Sequence, residues 1–140
     1  MEQAVAALHC GSRPADAGAC AIKIGRAEGD FARRYDAAAE GASSCFVWPN
    51  RGKESLVLDV EAPGDKAPLD RLVAAADVFI QNLAPGAAAC AGFGSEALRA
   101  RHPRLITVDI SGYGESGDHA PMKAYTGQRW TPTSPTPSAA

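Results

Sequence analysis

The sequence has no excess of charge of either sign and no long apolar run. Its 14 lysines and arginines face 16 aspartates and glutamates, which leaves a formal net charge of −2. No basic field is therefore present to attract nucleic acid or anionic lipid. No stretch reaches the roughly eighteen apolar residues of a membrane span, and Glu2 stands where a signal peptide carries positive charge. We expect a cytoplasmic protein with neither nucleic acid nor membrane as a partner.

Closely spaced metal ligands are also missing. The four cysteines are Cys10, Cys20, Cys45 and Cys90, and the three histidines are His9, His102 and His119. None of them forms the C-x-x-C or His/Cys spacing of a zinc or redox motif. The sequence predicts no metal site, and its thiols are typical of buried or incidental cysteines in a reducing compartment.

What the sequence does contain is an alternation of short aliphatic runs with helical spacing. Strands are predicted near residues 21–24, 55–60, 77–81 and 105–110. Between them, residues 65–76 have helical spacing with Pro68 in the first turn, an alanine-rich helix follows Pro85-Gly86, and another begins with Ser95 as N-cap. The pattern predicts an α/β fold with a parallel, Rossmann-like sheet, and the run at 77–81 indicates a strand covered on both faces.

The two ends of the chain differ from this pattern. Residues 2–19 are rich in alanine, and Pro14 is expected to interrupt any helix there. Residues 126–140 have three prolines in their last nine positions and no periodicity. Such a segment buries too little apolar surface to offset the entropy of ordering it. We predict one domain over residues 1–125 and a disordered tail over residues 126–140.

Residues 112–117 form a literal G-x-G-x-x-G motif after the last strand. In a dinucleotide site such glycines let a helix N-terminus approach a pyrophosphate. Residues 118–121 do not begin an apolar-faced helix, so a flexible Gly/Ser loop is the better interpretation. A Rossmann-type oxidoreductase fragment that uses this loop stays open as an alternative.

Two further segments could bind an anion. In Asn50-Arg51-Gly52-Lys53, two cations flank a glycine and could face one phosphate, although a solvated turn is favoured by the residues alone. Residues 81–86 place an amide side chain before a helix N-terminus, which suits phosphate or the amides of pantetheine. A plain αβ turn explains that segment equally well.

Taken together and in order, these segments resemble the family III CoA-transferases, a group that includes formyl-CoA and carnitine CoA-transferases. The similar stretches are residues 2–7, 15–19, 22–24, 29–33, 46–59, 76–86, 98–106, 111–114 and 123–125. The resemblance implies a Rossmann-like domain, CoA bound along loops at the carboxyl edge of the sheet, and interlocked homodimers in complete relatives.

The resemblance also implies a reaction, the transfer of CoA between carboxylic acids through an aspartyl-acyl intermediate. In the family the catalytic aspartate lies a few dozen residues beyond the Lys-x-Tyr segment that matches residues 123–125. Only fifteen residues follow Tyr125 here, and none is acidic. We therefore expect an amino-terminal fragment with no catalytic residue and no turnover, whose acid substrate the sequence does not identify.

By position, the resemblance assigns CoA contacts to Arg26 near the adenine or its phosphate, Lys53 near the phosphates, Asn82 near the pantetheine arm, and Lys123. The family arginine that binds the CoA phosphates corresponds to Cys90, whose neutral thiol cannot make that bond. The alternative to a transferase fragment is a non-catalytic module that binds CoA or another adenine nucleotide.

Overall fold

The structure is a computed structural model that describes residues 4–60, 62–120 and 122. Helices and strands alternate along most of this part of the chain. Their order is α1 (Ala4–Asp16), β1 (Ala21–Gly25), a 3-10 helix (Phe31–Arg34), α2 (Ser44–Asn50), β2 (Lys53–Val57), α3 (Pro63–Ala75), β3 (Val78–Gln81), α4 (Ala87–Cys90), α5 (Ser95–Arg101) and β4 (Ile106–Asp109). The disordered tail predicted for residues 126–140 lies outside the described residues.

The four strands form two parallel pairs. Strand β1 pairs with β2, with Ala21 opposite Lys53 and Gly25 opposite Val57. Strand β3 pairs with β4, with Val78 opposite Ile106. All four predicted strands are present, and the predicted α/β fold with parallel strands is confirmed. In each pair the two carboxyl ends lie at the same edge, which is where open α/β sheets bind ligands.

One hydrophobic core joins α3, α5 and the strand pair β3–β4. Helix α3 buries Leu69 and Val73, at the helical spacing that the sequence shows. These side chains pack with a set of buried residues from the strands and the later loops. The set is Leu58, Phe79, Phe93, Leu98 and Leu105. The core therefore anchors helix α3 through Leu69 and Val73, and strand β3 through Phe79.

The second strand ends earlier, and the third helix begins earlier, than the sequence predicts. The backbone N–H of Leu58 still donates to Gly25 O at 3.1 Å, but that of Asp59 donates to the Asp65 carboxylate at 2.8 Å. The chain therefore leaves the sheet and turns toward α3. Pro63 takes the first helical position, where its missing N–H costs nothing, so Pro68 lies inside the helix and not in its first turn.

Two further expectations about helix ends were wrong. Helix α1 continues through Pro14 to Asp16, because Pro14 lies in the last turn and few hydrogen bonds remain for it to break. Helix α5 does begin at Ser95, but Gly94 is its N-cap. A Cβ on Gly94 would lie 3.1 Å from the Ala89 backbone, so the close approach of α4 and α5 requires glycine there.

Strand β3 is covered on one face only within the described residues. Phe79 and Gln81 are buried, whereas Val78 is 44% exposed and its partner Ile106 is 61% exposed. The expectation of a strand covered on both faces is therefore not met in the part of the chain that the structure describes. Alternation along β3 separates a packed face from an apolar face open to solvent.

Helix α2 was not predicted, because it is only seven residues long and Pro49 falls inside it. Its first N–H groups are satisfied by a carboxylate from earlier in the chain. Asp36 accepts hydrogen bonds from the backbone N–H groups of Ser44 (2.8 Å) and Cys45 (3.4 Å), and from the hydroxyls of Ser43 and Ser44. These bonds and one from the Ala38 N–H hold the pKa of Asp36 well below its ordinary value.

Replacing Asp36 by alanine should reduce the loss of stability in acid. A depressed carboxylate pKa contributes stability above the unfolded-state pKa, and that contribution disappears as pH falls below about 4 toward the folded-state value. Urea unfolding at pH 7 and in the acid range measures it. Between pH 7 and the acid range, the wild type should lose more free energy of unfolding than Asp36→Ala. Asp118→Ala, in an exposed loop, should lose as much as the wild type. Equal acid losses in all three proteins would contradict this assignment.

Candidate functional site

A groove of about 1040 Å³ opens where β1, β2 and β3 end. Its lining comes from residues 23–30 at the end of β1, residues 57–60 after β2, and residues 82–84 after β3. Helices α3 and α4 contribute Lys66 and Ala87. The groove therefore lies at the carboxyl edge of the strands. In a parallel α/β fold this edge is formed by loops, and ligands bind there.

All charged residues of the groove come from the segments that begin with β1, β2 and α3, and we call this set the charged wall. It consists of Lys23, Arg26, Glu28, Asp30, Arg33, Asp59 and Lys66. The Lys23 ammonium and the Asp30 carboxylate form a buried ion pair at 2.7 Å, with side chains 8% and 4% exposed. Asp30 also accepts from the Ala32 N–H and so caps the 3-10 helix. This pair is a fixed structural part of the wall.

An aromatic ring holds two of these cations. The Arg33 guanidinium lies 3.9 Å from the centre of the Phe46 ring, and the Lys23 ammonium lies 4.8 Å from it. Such cation–π contacts fix the direction of a long side chain. By contrast, the side chains of Arg26 and Lys66 form no hydrogen bond or ion pair with the described residues. These two cations can accept an external anion.

The part of the lining that follows β3, within residues 82–91, has no charged residue, and we call it the neutral wall. It consists of Asn82, Leu83, Ala84, Ala87, Cys90 and Ala91. Gly86 has φ = 80°, a left-handed conformation that favours glycine and lets the chain turn sharply from β3 into α4. The turn brings the exposed Cys90 thiol to the same groove as Asn82. An amide and small side chains suit a slender, uncharged, hydrogen-bonding ligand segment.

The structure brings two of the four predicted CoA contacts into this groove, Arg26 and Asn82. Lys53 does not line it, because its Nζ donates to the Leu8 carbonyl at 2.8 Å and so links β2 to α1. Lys123 lies outside the described residues. The contacts assigned to Lys53 and Lys123 stay predictions.

Arg51 and Lys53 do not face one anion. Arg51 pairs with the Asp16 carboxylate, donates to the Trp48 carbonyl and lies over the Trp48 ring, which itself stacks on His9. The segment at residues 50–53 therefore joins helices α1 and α2. Its two cations serve the packing of the chain on itself.

The glycine loop at residues 112–117 has no helix after it within the described residues. Its N–H at Gly114 donates to the Ser111 hydroxyl at 3.0 Å, which closes a small local turn. A dinucleotide fingerprint requires a helix that begins at the last glycine. The structure therefore favours the Gly/Ser-loop interpretation.

Three groove residues escaped sequence reasoning. Lys23 alternates with isoleucines in β1, which indicates only an outward-facing strand position. Asp30 follows a glycine in a polar loop, and Lys66 is the second residue of the helix predicted over residues 65–76, where no motif distinguishes it. A count of polar residues at the carboxyl ends of predicted strands and the following helix starts would have included all three.

Residues 4–60, 62–120 and 122 contain no candidate for a membrane span or for a metal-binding cluster. No helix there has the length and hydropathy needed to cross a bilayer. No group of three or more histidine, cysteine, aspartate or glutamate side chains is placed to hold an ion.

The fold and groove define an α/β protein with parallel strands and a groove of mixed charge at the carboxyl ends of those strands. Residues 1–130 match the model of CoA-transferase family III, so the chain belongs to this family. It is 40% identical to the acetyl-CoA:oxalate CoA-transferase of Acetobacter aceti over 79% of this chain, and 35% identical to the succinate–glutarate CoA-transferase of Agrobacterium fabrum over 89%.

Solved structures agree with this assignment. A crystal structure of a hypothetical protein from Mycobacterium tuberculosis matches 89% of this chain with a TM-score of 0.81 at 31% identity. A CaiB/BaiF family protein from Brucella suis matches with a TM-score of 0.78. This chain spans only about a third of these proteins, 28% and 33% of the two enzymes and 35% and 34% of the two structures.

Proposed function

We propose that the groove binds CoA, and that this chain is a CoA-binding part of a family III CoA-transferase. The observation that carries the proposal is the pairing of a charged wall with a neutral wall in one groove. CoA has the same division, with phosphates at its nucleotide end and amides along its pantetheine arm.

Each wall suits the part of CoA assigned to it. Arg26 offers a planar set of N–H donors to phosphate oxygens, and these charge-assisted bonds are stronger than neutral ones. Asn82 offers an amide to the pantetheine amides, and the alanines beside it leave room for a narrow chain. The membership of the chain in a family named for CoA transfer supports the same ligand.

We propose binding without transfer. The family reaction requires a carboxylate held within bonding reach of a thioester carbonyl. Of the three carboxylates that line the groove, Asp30 is engaged by Lys23 and by the Ala32 N–H. Glu28 and Asp59 are exposed on loops. None of the three combines a fixed position with freedom to attack.

A calorimetric titration of the 140-residue chain with CoA and, separately, with NAD tests the proposal. CoA should bind at least about tenfold more tightly, since only CoA carries a phosphate monoester and a pantetheine arm. Incubation with acyl-CoA and hydroxylamine should give no trapped acyl group above a heat-denatured control. Equal or tighter binding of NAD would favour the oxidoreductase alternative, and a trapped acyl-enzyme would show that the nucleophile is present.

A further inference from the structure

Lys66, at the start of helix α3, is a groove cation to which neither the sequence nor the family resemblance assigned a role. We propose that Lys66 is a phosphate-binding residue that acts with Arg26 on the 3′-phosphate monoester of CoA. The inference rests on the proposed function and makes it specific to one phosphate of the ligand.

The four groove cations differ in the contacts that they already make. Lys23 is bound by Asp30, and Arg33 is stacked on Phe46. Arg26 and Lys66 line the groove without a hydrogen bond or ion pair to the described residues. A ligand anion gains most from cations whose charge is not already satisfied.

The position of Lys66 is fixed by helix α3. It is half-buried and lies in the first turn of a 13-residue helix. That turn is held by the bond from the Asp59 N–H to the Asp65 carboxylate, and the helix is anchored in the core by Leu69. Lys66 thus reaches the groove from a rigid element, and less entropy is lost on binding than for a lysine on a loop.

CoA offers two kinds of phosphate to these cations, the diphosphate and the 3′-phosphate monoester. The neutral wall suits the pantetheine arm, which leaves the nucleotide end for the charged wall. A phosphate monoester carries about 1.5–2 negative charges near pH 7, whereas each phosphorus of the diphosphate carries about one. The monoester therefore gains more than either diphosphate phosphorus from two cations that have no ion pair with the described part of the chain. Asp59 also lines this wall, so Lys66 additionally offsets a carboxylate that would repel the phosphate.

The test compares CoA with 3′-dephospho-CoA by calorimetry on the full chain. Wild type should prefer CoA by at least about tenfold, as expected for a lost charge-assisted contact. Lys66→Gln should reduce this preference to less than about threefold while leaving the affinity for 3′-dephospho-CoA unchanged, and Lys66→Arg should retain most of it. Arg71→Gln removes one positive charge from the same helix outside the groove, and it should keep the wild-type preference.

The possible results separate the two proposals. If wild type binds both ligands equally, or if Lys66→Gln weakens both by the same factor, the assignment of Lys66 to the 3′-phosphate is wrong and CoA binding stands. If wild type binds neither ligand while circular dichroism shows a folded chain, both proposals are wrong. If Lys66→Gln is unfolded, the Lys66→Arg variant decides. A wild-type preference of Lys66→Arg for CoA over 3′-dephospho-CoA supports the inference. A folded Lys66→Arg variant that lacks this preference overturns it.

Discussion

Replacing Lys23 by methionine is expected to lower the free energy of unfolding by about 3–5 kcal/mol, as when one partner of a buried ion pair is removed. The Asp30 carboxylate is 4% exposed and lies 2.7 Å from the Lys23 ammonium. Methionine fills a similar volume, so the loss would come from a buried charge left without its partner. Urea unfolding at pH 7, followed by circular dichroism, measures the change.

A double variant distinguishes this cause from poor packing. In Lys23→Met/Asp30→Asn the buried charge is gone, and asparagine can still accept the bond from the Ala32 N–H that caps the 3-10 helix. The double variant should therefore be more stable than Lys23→Met alone. Arg13→Ala is the matched surface control, since the Arg13 side chain is 68% exposed in its pair with Asp16, and it should cost less than about 1 kcal/mol. A single variant as stable as this control would contradict the structural role of the pair.

Replacing Cys90 by arginine is expected to tighten CoA binding by about 10- to 100-fold, the equivalent of one added charge-assisted hydrogen bond. Cys90 is exposed, lines the groove and ends helix α4 on the neutral wall. The family resemblance places a phosphate-binding arginine at this position, and we expect it to bind the diphosphate, which joins the nucleotide of CoA to the pantetheine arm. The substitution would add a cation to a groove in which Arg26 and Lys66 have no hydrogen bond or ion pair with the described residues. Isothermal titration with CoA measures the gain.

Two control variants separate the effect of where the new side chain lies from the effect of its charge. Cys20→Arg adds the same charge at an exposed cysteine that does not line the groove. Cys90→Gln adds a side chain with hydrogen-bond donors but no charge. Both should bind CoA within about threefold of wild type, since neither forms a charge-assisted bond in the groove. If Cys20→Arg tightens binding as much as Cys90→Arg, the effect is long-range attraction and the groove is not the phosphate site.

The sequence predicts the strands better than the helix ends, for a physical reason. The predicted strands at residues 77–81 and 105–110 contribute Phe79 and Leu105 to the core, and the pattern that reveals them is local. The end of β2 depends on a bond from the Asp59 N–H to Asp65, and the length of α1 depends on how late Pro14 falls within it. Bonds of this kind are set by tertiary geometry. Periodicity does not encode them.

The groove was only partly foreseeable. Arg26 and Asn82 came from resemblance, and both lie in it. Lys53 has the same charge as Arg26 but lies at the start of β2, and it donates to the Leu8 carbonyl, 45 positions earlier in the chain. Lys66 lacked any motif, because its approach to the groove depends on how α3 is anchored by Leu69. Residue type shows what a side chain can bind, whereas long-range packing decides what it meets.

The central claim is that CoA occupies the groove at the carboxyl ends of β1, β2 and β3. The most direct test is the change in backbone amide NMR chemical shifts when the isotope-labelled chain is saturated with CoA. The largest changes should fall at residues 25–30, 58–66 and 82–91, with small changes in the glycine loop at residues 111–117. The largest changes in that loop, with residues 25–30 and 82–91 unmoved, would contradict the claim.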